Sequence, residues 1–201
     1  MSETVTYQVV LLDSIGSFLL KEPTYESISF LIKILPNDFF SETIGLMQKI
    51  LEEEKISEVV DLYNHYFEIP SHCTLTSHQS ATVYGRKKPE FLDTFLNSIG
   101  VKFKVTDNRM PDHIGNLVLI LAIIVKNIED TENEDSVRNQ VKLLEKFVNR
   151  HLLSFIDILR EELNGCNCND QVNVFKGLMG GLIPLVKTIR DNAVDIRASI
   201  A

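Results

Sequence analysis

The chain is short of cysteine, of positive charge and of long apolar runs, and each scarcity closes off a class of function. Twenty-eight acidic residues against 20 basic ones give a formal net charge of −8. A nucleic-acid binder needs the opposite, a cationic footprint that displaces counterions from phosphates. No nucleic acid is therefore expected as a partner; a basic or amphipathic one is. The apolar runs fall well short of the roughly 20 residues that span a bilayer, so no membrane insertion is expected. The opening Met1-Ser2-Glu3-Thr4 lacks the positive n-region of an export signal, and the expected location is the cytoplasm.

Three cysteines, Cys73, Cys166 and Cys168, are an odd number, and a leaderless chain of this size is not expected to build a disulfide framework. Cys166-Asn167-Cys168 has no second pair to complete a closed zinc site, and His72-Cys73 has no third ligand at a recognisable spacing. No metal and no cofactor is expected. Glycine-rich phosphate loops, metal-ligand sets and nucleophile elbows are missing as well, so the chain does not read as an enzyme.

What is present is helical pattern. At 201 residues and 44% hydrophobic, the chain suits one domain able to fold unaided. Val5, Val9, Leu12, Gly16 and Leu19 recur at helical spacing until Pro23; Ile28, Leu31 and Leu35 carry a second helix to Pro36. Ser41 reads as the N-cap of a third helix with Ile44, Met47 and Leu51 as its buried stripe and Glu52-Glu53-Glu54 facing water. Ser57 reads as the cap of a fourth, with Val59, Tyr63, Tyr66 and Phe67 on one face and Pro70 at its end. Residues 71–88 have no helical period and read as a long loop, and loops of that length inside a compact domain tend to be functional. Pro89 opens a fifth helix that fills one face with Phe91, Leu92, Phe95, Leu96 and Ile99 and stops at Gly100.

Val101 to Val105 alternates like a strand but has no partner strand, which makes it an extended connector. A helix apolar nearly all round runs from Asp112 to about Ile128, as a central buried element would, followed by an acidic loop from Glu129 to Asp135. The longest helix carries Val137, Val141, Leu144, Val148, Leu152, Phe155, Leu159 and Leu163 and stops near Gly165. A last one begins after Asn169-Asp170 and is expected to kink at Pro184, while Gly177, Gly180 and Gly181 point to close helix–helix approach. The expected fold is all-α, a single-domain bundle of about eight helices spanning 1–201. It has an N-terminal half 1–70, a connecting loop region 71–111 and a C-terminal half 112–201.

One feature stands apart from this packing pattern. Asp107-Asn108-Arg109-Met110-Pro111-Asp112-His113 is a polar loop that ends in Asp-His at the head of the apolar helix, at a boundary between core and solvent. A carboxylate in the first turn of a helix is favoured by the dipole, so Asp112 reads either as a helix-start residue or as a recognition group. The same positive helix end favours a neutral imidazole at His113. His151 reads as a core-edge histidine, and Tyr63, Tyr66 and Phe67 read as core aromatics, one of whose hydroxyls could reach an interhelical groove.

Four segments together resemble the TorD/DmsD/NarJ family of redox-enzyme maturation chaperones. Tyr63-Asn64-His65-Tyr66-Phe67 with Pro70 resembles the family's aromatic-x-x-Leu-Phe element, with Tyr66 where Leu is usual. Val83-Tyr84 resembles the end of its Pro/Trp-rich loop. Asn108 with Asp112-His113 resembles its Glu-x-x-Asp-His signature, and Phe147 to Phe155 its Phe-x-x-x-His-Leu pattern. Arg109 stands where the signature glutamate does, and Ser77-His78-Gln79-Ser80 stands where the Trp-rich pocket does; both departures bear on partner preference.

The resemblance implies an all-α, non-catalytic chaperone that binds the apo catalytic subunit of a molybdenum oxidoreductase, often through a twin-arginine leader peptide. On that reading Asp107, Asn108, Asp112, His113, Tyr84 and Tyr63 are the peptide-binding candidates, with Asp107 and Asp112 as partners for leader arginines. Burying an arginine pair is costly unless both charges are matched, so one carboxylate would not suffice. A helical adaptor for another protein's amphipathic helix is the alternative, and a small metal-dependent hydrolase a more distant one. The kinked last helix and long loops permit either a monomer or a helix-swapped homodimer.

Overall fold

A computed structural model describes residues 3–68, 95–97, 112–166 and 171–199. Among these residues the fold is all-α, with no strand. Eight α-helices follow in chain order: α1 (Glu3–Leu20), α2 (Tyr25–Ile34), α3 (Asn37–Glu52), α4 (Ile56–Tyr63), α5 (Ile114–Asp130), α6 (Glu134–Phe147), α7 (Leu153–Gly165) and α8 (Val174–Ser199). Two single π-helical turns are inserted, Asn64–Glu68 directly after α4 and Val148–Leu152 between α6 and α7. The fifth helix expected from Pro89 and the connector at 101–105 lie outside the described residues, apart from the helical stretch 95–97, where Phe95 and Leu96 are buried.

Helix α5 is the central element. Its residues from Ile114 to Val118 are all buried, as are Ile120, Leu121, Ala122, Ile124 and Val125, because the sequence offers no polar face to turn outward. Helices α1 and α6 pack on it, and α8 joins α3, α6 and α7. The α1–α5 crossing is tight for a specific reason: a Cβ on Gly16 would come within 2.9 Å of the Gly115 carbonyl, and one on Gly115 within 2.8 Å of the Gly16 carbonyl. The two glycines face each other where the backbones nearly touch.

Helix boundaries follow local chemistry. Thr24 caps α2, its Oγ1 accepting from the Ser27 N–H at 3.2 Å while Ser27 Oγ accepts from the Thr24 N–H at 2.8 Å, a reciprocal arrangement worth about 1 kcal/mol. Helix α3 begins four residues before the expected cap at Ser41, but Phe40 is non-helical (φ −130°, ψ 17°), so regular helix resumes only at Ser41. Its buried stripe is Ile44, Met47 and Ile50, with Leu51 only partly buried. The α3 end closes with Lys55 N–H donating to the Ile50 carbonyl at 2.9 Å and Glu54 in the left-handed region (φ 55°), a Schellman turn built without glycine. Glu53 pairs there with Lys55 at 2.7 Å. Ser57 is not the cap of α4; that place belongs to Lys55, which makes no side-chain cap bond.

One expectation in the C-terminal half changes. The acidic stretch 129–135 is mostly helical: Glu129 and Asp130 end α5, Asn133 Oδ1 accepts from Ser136 N–H at 3.0 Å to cap α6, and Glu134 and Asp135 occupy the first turn, where the dipole favours carboxylates. Helix α8 runs on through Pro184. Gly177 and Gly181 do mark close approach, to Thr43 and to Phe40 of α3.

Candidate functional site

Of the residues singled out in sequence, Asp112, His113 and Tyr63 lie at or beside the head of α5. That helix begins at Ile114, two residues later than expected, and His113 is its N-cap. His113 Nδ1 accepts from the Gly115 N–H at 3.1 Å, which requires an unprotonated Nδ1 and places the ring proton on Nε2. Asp112 thus precedes the cap, and the dipole role assigned to it from sequence passes to its neighbour. Both side chains are 1% exposed. The Asp-His pair therefore lies in the interior, not at the solvent boundary that the polar loop before it suggested.

An aromatic cluster reaches His113 through Phe67. The Phe67 ring lies 5.8 Å from His113 and 5.3 Å from Phe175 at the start of α8. Tyr63 stands 5.2 Å from Phe67 and 6.2 Å from Phe175, and Tyr66 meets Phe175 edge-on at 6.0 Å. Phe18 of α1 closes the group at 5.9 Å from Phe175. Such spacings are the tilted and edge-to-face contacts that ring quadrupoles favour. Tyr63 and His113 are accordingly joined through Phe67. Asp107, Asn108 and Tyr84 lie outside the described residues.

Asn173 was not foreseen and ties this cluster to α8. Its Oδ1 accepts from the Lys176 N–H at 3.3 Å at the helix start, and its Nδ2 donates to Tyr66 Oη at 2.9 Å. The side chain is 3% exposed. Beside it opens a cleft of about 590 Å³ between α3 and α8, with Asp38, Glu42, Asn173 and Lys176 among its polar walls and Gly180 along one side. A single Asn ahead of an apolar helical run was the available signal, but Asn169-Asp170 offered the same signal four residues earlier.

The second π turn bears on α5 from the other side. His151 is buried and stacks on Phe147 at 6.2 Å, and Phe147 stacks on Phe95 at 5.2 Å. Burial, together with the charges of Arg150 and Lys146, holds the His151 pKa down to about 4. Asn149 in the same turn accepts from Arg190 Nη1 of α8 at 2.9 Å. Among the described residues no cluster of three or more His, Cys, Asp or Glu side chains is placed to hold a metal ion, and no helix is long and apolar enough to cross a membrane.

Compared with known proteins, the chain matches the sequence model of the nitrate reductase delta subunit over residues 38–161. That span contains both π turns and the Asp112-His113 head of α5. No curated protein and no solved structure matches the chain.

Proposed function

Because the chain belongs to the nitrate reductase delta subunit family, a family of molybdoenzyme maturation chaperones, we propose that it is a cytoplasmic, system-specific chaperone without catalytic activity. It binds the apo catalytic subunit of a molybdopterin oxidoreductase through its twin-arginine leader, assists maturation and delays export. The observation that carries this reading is the family match across the elements that assemble around the head of α5.

The burial of Asp112, His113 and Tyr63 divides the candidate residues by role. A guanidinium reaching Asp112 would have to leave water with it, and one carboxylate does not offset that cost. Asp112, His113 and Tyr63 are therefore positioning residues, which hold the head of α5. Asp107, Asn108 and Tyr84 supply the direct peptide contacts. Asp112→Asn should then lower leader binding and the unfolding temperature together, whereas Asp107→Asn should weaken binding through the lost charge.

The deciding experiment is affinity capture of the tagged protein from its native cells under low oxygen, with mass spectrometry of what co-purifies. Recovery of a molybdopterin oxidoreductase subunit supports the proposal. A stoichiometric partner with neither a molybdenum site nor an export leader would overturn it in favour of a helical adaptor.

A further inference from the structure

The cleft between α3 and α8 stays open because a side chain is missing from its α8 wall. Its volume of about 590 Å³ lies in the range that holds a small ligand or a peptide side chain. Gly180 is half-buried on that wall, and a Cβ there would meet nothing within 4 Å. Its neighbours Gly177 and Gly181 are covered by Thr43 and Phe40 of α3. Packing within the chain therefore does not require glycine at 180, and what its absent side chain leaves is room for close approach to the helix backbone.

The α3 wall supplies the chemistry. Asp38 and Glu42 both line the cleft and both are exposed. Among the described residues no ion pair takes up either carboxylate, and none joins them to Lys176 on the α8 side. Half-buried Phe39 and Leu46 form the apolar part of the same wall. Thr43, 4% exposed, lines the cleft with its Oγ1 turned toward Gly177, and no hydrogen bond engages that hydroxyl among the described residues. Two carboxylates and a hydroxyl are too few oxygens to hold calcium, and the space far exceeds what an ion fills. They suit a flat cation on an apolar stem: a guanidinium can fork across two carboxylates and lie against an aromatic ring, where an ammonium is only a point charge.

We propose that this cleft receives an arginine side chain of the client's leader, with Asp38 and Glu42 as its charge partners, Phe39 along its stem and Gly180 as the floor. The inference rests on the leader-binding reading and adds a second contact region to it. Asn173 links the two, since it lines the cleft and donates to Tyr66 in the aromatic cluster that reaches the head of α5. Two carboxylates in an open cleft can match a guanidinium that the single buried Asp112 cannot.

Fluorescence anisotropy tests this, with the full chain titrated into a labelled synthetic peptide of paired arginines followed by a short apolar segment. Asp38→Asn and Glu42→Gln should each weaken binding about threefold and reduce its dependence on salt. Gly180→Leu should weaken it more than about tenfold by filling the cleft. Its Tm should not fall below that of the wild type, because leucine is the better helix former and its Cβ meets no neighbour. Lysines in place of the peptide's arginines should reproduce most of the loss. Undiminished binding by all three variants would overturn the cleft as the arginine site and leave the leader reading standing. A wild type that fails to bind the peptide at all would overturn both.

Discussion

Two adjacent glycines in α8 should respond in opposite ways to the same substitution. Gly→Ala inside a helix gains about 0.5–1 kcal/mol from restricted unfolded-chain freedom and better helix propensity, and that gain is common to Gly180 and Gly181. At Gly180 a Cβ meets nothing within 4 Å, so Gly180→Ala keeps the whole gain. At Gly181 the new methyl would lie 2.3 Å from two ring carbons of Phe40 and 2.7 Å from the Phe39 carbonyl, against an ordinary carbon contact of about 3.5–4.0 Å. Phe40 is 1% exposed and sits on non-helical backbone, and a shift of its ring would not clear the Phe39 carbonyl. Overpacking of this kind costs about 1–3 kcal/mol, and with a backbone atom among the clashes the upper part of that range applies. Net, Gly181→Ala loses about 1–2 kcal/mol, and the two variants differ by about 2–3. For a chain of this length each kcal/mol moves the Tm by about 2–4 °C, so thermal unfolding followed by circular dichroism separates them easily. Movement of both variants in the same direction would refute the packing argument, because propensity and unfolded-state terms are shared.

Other perturbations test other parts of the structure. With a folded pKa of about 4 against an ordinary value of 6.5, neutral His151 supports the fold fully above pH 6.5, and that support drains away as pH falls toward 4. Urea unfolding of wild type against His151→Gln should show a pH-dependent difference reaching at most about 3 kcal/mol, and a flat difference would contradict the burial. His113→Ala loses the cap and the Phe67 contact, whereas His113→Asn keeps a cap acceptor and should recover about 0.5–2 kcal/mol of the loss in denaturant titration. Glu54→Gly should raise stability by about 1 kcal/mol, because the left-handed backbone there suits glycine and the Glu54 side chain is exposed. Deleting exposed Arg150 removes the extra residue of a π turn and should cost no more than about 1–2 kcal/mol. Deleting exposed Lys142 turns fully buried Leu144 and Phe147 off the core and should cost roughly 3–6 kcal/mol by the same urea assay.

The all-α fold was legible because its signals are local and strong: apolar stripes at helical spacing, with Pro23 and Pro36 as stops and Gly165 ending α7. The apolar circumference of Ile114 to Val125 identified the central helix in the same way. Boundaries were less legible where two residues offer the same chemistry, as Asn169 and Asn173 do for α8, or where the cap makes no side-chain bond, as Lys55 does before α4. The Asp112-His113 pair was misplaced in depth. A charged pair after a polar loop suggests a surface, but His113 trades its hydrogen bond into the backbone at Gly115 and its ring onto Phe67, and the pair goes inside. That outcome depends on Phe67, nearly fifty residues away, which no window around the motif contains.

The π turns explain why two of the short motifs lie where they do. Read as one regular helix, the stripe from Val137 would carry Ile156 about 100° and Leu163 about 80° away from it, yet they are 0% and 2% exposed. The Val148–Leu152 turn absorbs the discrepancy: Leu153 N–H donates to the Val148 carbonyl five residues back, a wider loop that advances the chain by one residue without turning the following helix off the core. A helix forced to widen in this way gives up good hydrogen-bond geometry, and it holds only where surrounding packing demands it. At Asn64–Glu68 the demand comes from Tyr66 and Phe67 seated against Phe175 and His113, and at Val148–Leu152 from His151 stacked on Phe147. Both turns act on the neighbourhood of α5, one at its head and one on its flank. In this structure the motif side chains therefore shape and hold α5.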